Sequence, residues 1–132
     1  MEGEGDPVAN PIDPKLPQEN KFLRYSLDLF NHGYSWESHV YFEALWNAHK
    51  REGSTADFLK AMIKLGAAGV KVAIDQPVAA MGHMERGKEL FLLVKTQEGN
   101  SFLGFDLNRI VKDIEQAIEN KNFKMNVFPD WS

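Results

Sequence analysis

Apolar residues recur at three- and four-residue spacings along most of this chain, the mark of helices that each bury one face. Phe22, Leu23, Leu27 and Phe30 begin the pattern after Glu19, and Gly33 supplies a stop. A second helix is predicted from Ser35, as N-cap, to Arg51. Ser54-Thr55-Ala56-Asp57 resembles a capping box and starts a third, running to Ile74. Pro77 suits the first turn of a fourth, with Ala80, Met84, Gly87, Phe91 and Val94 on one side. Asp106 caps a fifth, whose Leu107, Ile110, Ile114 and Ile118 form a narrow stripe. The spacing then changes: Phe123, Met125 and Val127 alternate with polar residues, as in an extended strap. The expected fold is all-α, a compact bundle of about five helices. An arm over residues 1–18 precedes the bundle at 19–121, and a tail over 122–132 follows it.

Charge changes the picture only at the N-terminus. Residues 1–20 carry a net charge of −4, and the rest of the chain is neutral. The folded part therefore offers no bulk attraction for nucleic acid. Four of the six prolines (Pro7, Pro11, Pro14, Pro17) lie in that acidic stretch. Such a segment cannot order itself alone, and is expected to be mobile or laid along the domain. There are no cysteines, which excludes disulfides, thiolate metal sites and cysteine nucleophiles. The longest uncharged run, Gln76–Met84, is far too short to span a membrane. The acidic start is unlike a signal peptide, so a cytoplasmic protein is expected, as monomer or homodimer.

The third helix is apolar nearly all round, with only Lys64 and Lys71 charged between Ala61 and Ile74. Such a helix is surrounded by others. Gly66, Gly69 and Ala73 permit close approach along one side. Lys64 and Lys71 are two turns apart and share a face with Asp57 and Lys60. Either that face is wet and the lysines reach out of it, or they point into a cleft and hold an anion or a carboxylate partner.

The second helix carries the candidate chemistry. At about 100° per residue, Trp36, His39, Glu43, Trp46 and Lys50 cluster on one strip, with Tyr41, Leu45 and Ala48 opposite as the core stripe. Two tryptophans on a polar strip point to a half-covered groove or interface. His39 and Glu43 can meet one ligand, as metal donors or as an acid–base pair, while Glu37 points elsewhere. The alternative is a buried hydrogen-bonded pair that fixes packing. His32, His49 and His83 read as loop or surface residues. His39-Val-Tyr-Phe-Glu43 is not the His-Glu-x-x-His zinc pattern, and no Glu-x-x-His di-iron spacing, phosphate loop or nucleophile elbow occurs.

Phe30-Asn31-His32-Gly33-Tyr34-Ser35-Trp36-Glu37-Ser38-His39, followed by Glu43 and Trp46, resembles the signature of an uncharacterised helical family, the domain of unknown function 309. Asp57-Phe58-Leu59-Lys60-Ala61-Met62-Ile63-Lys64-Leu65 and Phe102-Leu103-Gly104-Phe105-Asp106 are similar to two later family segments. The resemblance implies a compact all-α bundle. It also brings a loose label, predicted metal-dependent hydrolase, with Glu37, His39, Glu43 and Trp46 as the signature residues present. Val40 stands where the family has glutamate, Lys64 where it has glutamine, and Lys71 where it usually has histidine. A metal site at those positions would lose two ligands and gain two positive charges.

Two functions follow. In the first, a non-catalytic domain binds a small molecule or peptide segment in a groove lined by Trp36, His39, Glu43, Trp46, Lys64 and Lys71. In the second, a metal-dependent hydrolase uses Glu37, His39 and Glu43 as ligands or base around a divalent metal, with His39 and Glu43 as the metal candidates.

Overall fold

The computed structural model describes residues 8–131. Residues 1–7, the acidic start of the arm, lie outside it. After a 3-10 turn at Pro17–Glu19 come helices α1 (Lys21–Asn31), α2 (Ser35–Ala48), α3 (Ser54–Ala73) and α4 (Pro77–Glu98). A minimal hairpin, β1 (Ser101–Phe102) with β2 (Phe105–Asp106), leads into α5 (Leu107–Asn120). The hairpin pairs Phe102 with Phe105 in antiparallel register. An extended strap follows to Trp131. The all-α bundle of five helices is as expected.

The helices pack as a chain of neighbours, α1 on α2, α2 on α3, α3 on α4 and α4 on α5. As its nearly charge-free run predicts, α3 is the central helix and buries Phe58, Leu59, Met62 and Leu65. Phe58 stands edge-on to Phe91 of α4 and tilts on Phe105 of the hairpin. Gly33, at φ 86°, breaks the path between α1 and α2. The Asp106 side chain accepts from the Arg109 N–H at 3.1 Å and caps α5, as predicted.

Other local expectations change. Gly53, rather than Ser54, is the N-cap of α3; Ser54 is already the first helical residue, and its hydroxyl donates to Gln97 Oε1 at 2.8 Å. Ser35 is the first residue of α2 and not its cap, which is Tyr34. The core stripe of α2 is Ser38, Phe42 and Leu45, not Tyr41, Leu45 and Ala48. Tyr41 instead meets Phe22 and Tyr25 of α1 at the bundle's edge. The helix ends at Ala48, and Lys50 and Arg51 turn with positive φ, so Lys50 leaves the strip it was assigned to.

The strap is held by α1 and the hairpin. Asn31 Nδ2 donates to the Val127 carbonyl at 2.9 Å, and Asn31 Oδ1 accepts the Val127 N–H at 2.8 Å. One side chain thus imitates a paired strand. Val127 is buried while Asn126 and Phe128 are exposed, which realises the alternation in the sequence. Trp131 donates to the Leu103 carbonyl at 3.0 Å and lies against Gly104, where the indole leaves no room for a Cβ.

At the other end, the described part of the arm lies on the domain. Ile12 is buried, and its N–H donates to His49 Nε2 at 2.8 Å. His49 is therefore a latch and not a plain surface residue. Accepting that bond requires a neutral ring, and burial holds the imidazole below its ordinary 6.5. The unfolded chain thus takes up the proton first. Stability from this group is full above about pH 6.5 and falls as pH drops toward the lowered value. On acidification from about pH 7.5 to about pH 5, the Ile12 amide NMR resonance should move toward that of an unbonded peptide. A His49→Gln variant, which keeps an acceptor without titrating, should show no such movement. An Ile12 resonance insensitive to pH in the unaltered protein would contradict the latch.

Candidate functional site

Glycines set the distances between the three helices that carry the candidate residues. A Cβ at Gly66 of α3 would lie 3.5 Å from Ser38 Oγ and 3.8 Å from the His39 Cβ. A Cβ at Gly69 would come within 3.0 Å of the Ser35 Cβ. These small residues let α2 lie close on α3 and bring His39 to its surface. On the other side, a Cβ at Gly87 of α4 would meet Leu65 Cδ2 at 3.2 Å and the Lys64 Cβ at 3.6 Å. His83 precedes Gly87 by one helical turn and so projects from the same face of α4.

The result is a group of basic side chains from three helices. The His83 imidazole is held below its usual 6.5 by burial first, then by the positive charges of Lys64, Lys71 and His39. No carboxylate figures among the charges acting on it. The ion pairs among the described residues are Arg86–Glu89, Lys88–Glu85 and Lys88–Glu115, so Lys64 and Lys71 have no acidic partner there.

Other candidates are placed differently from expectation. Trp36 is 63% exposed, its ring parallel to the His39 imidazole with centroids 6.0 Å apart. It is not half covered, and it shares no groove with Trp46. The indole of Trp46 instead lies between the Arg51 guanidinium at 4.9 Å and the Lys60 ammonium at 5.1 Å. Those cation–π contacts satisfy the ring at the far end of the helix. Glu37 and Glu43 are both exposed, and neither forms an ion pair with a lysine among the described residues. The expected five-residue strip therefore reduces to His39 with Trp36 against it.

Two kinds of residue escaped the sequence. His83 belongs to the cluster although it reads as a loop or surface residue, and its one-turn offset from Gly87 on the apolar side of α4 was the available signal. Asn31, Ser35 and Ser38 are packing residues. Asn31 holds the strap, while Ser38 donates to the Ser35 carbonyl at 3.0 Å beside the glycines of α3.

The metal implied by the hydrolase label does not fit this donor set. Among the described residues no three of His, Asp or Glu are grouped so as to hold a metal ion. The charges acting on the His83 imidazole are those of Lys64, Lys71 and His39, which repel one. Three surface depressions of about 610, 560 and 510 Å³ open elsewhere, and none is lined by His39, Lys64, Lys71 or His83. His39, Lys64, Lys71 and His83 are each half-buried.

The family model described as Domain of unknown function (DUF309) matches residues 23–83, from within α1 to His83. That segment of the chain is similar to a DUF309 domain. That match takes in the whole cluster, from Trp36 to His83. No curated protein matches the chain. No helix among the described residues is long and apolar enough to cross a membrane.

Proposed function

We propose that this domain is a binding module that holds an anionic group on the face formed by His39, Lys64, Lys71 and His83. The observation that carries this reading is the convergence of four basic side chains from three helices with no acidic partner among the described residues. Like charges brought together cost free energy even at a wet surface. An isolated lysine on a solvated face relieves that cost by reaching outward, but His83 sits low enough on α4 to be partly desolvated beside both lysines. An anion bound between them offsets both the repulsion and the desolvation. The neutrality of the chain beyond residue 20 makes this patch a local feature and not part of a basic surface.

The test is direct. Inorganic phosphate, titrated into the protein near pH 6.5 at low salt and followed by amide NMR shifts, should perturb α3 and α4 around Lys64, Lys71 and His83. A Lys64→Gln/Lys71→Gln double variant should weaken that binding about tenfold or more. Both side chains are only half-buried, so the variant should fold. Equal phosphate affinity in the variant would remove the proposal.

A further inference from the structure

The chemistry of the anion can be narrowed by what lies beside the lysines. At about 100° per residue, Ile63, Ala67, Val70 and Ile74 fall on a stripe of α3 between the α2 contact at Gly66 and the row of Lys64 and Lys71. Its first residue, Ile63, is buried in the core, and the stripe opens only toward its C-terminal end. Ala67 and Val70 are half-buried, and Ile74 is 53% exposed. On the α2 side the His39 Cβ lies close to Gly66, and the ring of His39 is parallel to that of the exposed Trp36. On the α4 side it is bordered by Lys64, Lys71 and His83. The face therefore has an apolar floor, a basic rim and an exposed indole.

A face of this kind suits a small free anion poorly. Phosphate there would stay largely in water, and ion pairs at an exposed surface contribute only about 0–1 kcal/mol. It suits better a ligand that also covers the apolar stripe, because tryptophans on such faces carry much of the affinity in protein interfaces. Lys64 and Lys71, seven residues apart on one helix, lie about 10.5 Å apart along its axis.

Building on the anion reading above, we infer that the occupant is an acidic segment of a partner protein. Two of its carboxylates, about 10 Å apart as at seven-residue spacing on a helix, meet Lys64 and Lys71. Apolar side chains between them lie on Ala67 and Val70 against Trp36. The charge complementarity is one-sided, since no carboxylate of the described chain is ion-paired with either lysine.

The experiment uses the full chain and a synthetic helix-forming peptide with two glutamates seven residues apart and leucines between them. Calorimetry should show binding that weakens about tenfold when the leucines are replaced by glutamine, and by a similar factor in Trp36→Ala. It should disappear when the glutamates are replaced by glutamine. Equal affinity with and without the leucines overturns the peptide inference. So does tighter, lysine-dependent binding of phosphatidylserine vesicles or of single-stranded RNA. Phosphate binding that depends on Lys64 and Lys71, without any gain from the leucines, leaves the anion site standing and removes only the peptide. Loss of lysine dependence for both phosphate and peptide removes both.

Discussion

Phe58→Ala should lower the free energy of unfolding by about 3–5 kcal/mol, the cost of removing a large buried ring that its surroundings cannot refill. Phe58 is fully buried on α3 and lies 5.5 Å from the Phe91 ring, 6.3 Å from Phe102 and 4.9 Å from Phe105, between centroids. These rings come from the central helix, from α4 and from both hairpin strands, so one truncation loosens three elements at once. Aromatic pairs in tilted or edge-on contact contribute beyond their buried area. Equilibrium denaturation in urea measures the loss. A change below about 1 kcal/mol would mean that the aromatic cluster is not where the core is held.

Asn31→Ala should cost about 2–4 kcal/mol and release the strap, because it removes both hydrogen bonds to Val127 and leaves a buried backbone N–H and carbonyl without partners. The consequence is local as well as global. Phe123, Met125 and Trp131 pack partly on the core and would come away with Val127. Limited proteolysis should then cut after Phe123 or Lys124 at a protease concentration that leaves the unaltered protein whole. Asn31→Asp keeps the acceptor for the Val127 N–H and loses the donor, so it should fall between the two. A strap equally resistant in Asn31→Ala would show that Val127 and Trp131 suffice to hold it.

The helices were legible because each carries a long apolar stripe at helical spacing. The clearest is the stripe of α5, where Leu107, Ile110 and Ile114 are buried as the pattern requires. The hairpin was not, because its strands are two residues each and its turn uses Leu103 and Gly104. Both adopt positive φ, and leucine gives no warning of that conformation. The register of α2 was misjudged for a related reason. Ser38 is small enough to lie against Gly66, so the buried side of the helix is marked partly by a serine that no hydrophobic pattern counts. The basic half of the candidate site was readable from Lys64 and Lys71 at a two-turn spacing on one apolar helix. His83 was not, because it reaches the cluster from another helix, and single-helix geometry says nothing about contacts between helices. Trp36 went the other way. Large aromatics are usually covered, and this one is exposed beside His39.

The signature segment Phe30–Trp46 now divides into parts with separate roles. Asn31 anchors the strap, and Gly33 turns the chain. Ser35 and Ser38 seat α2 on the glycines of α3, and Trp46 is satisfied by Arg51 and Lys60. His39, with Trp36 stacked on it, is what remains for the proposed anion face.

A proton NMR titration of the His83 imidazole tests the central claim most directly, because it reports the company that this ring keeps. Its midpoint should lie below 6.5, rise in Lys64→Gln/Lys71→Gln, and rise in the unaltered protein when phosphate is added, since a bound anion favours the charged ring. A midpoint at the ordinary histidine value, unmoved by either the substitutions or phosphate, would mean that the three helices do not gather their basic groups on one face.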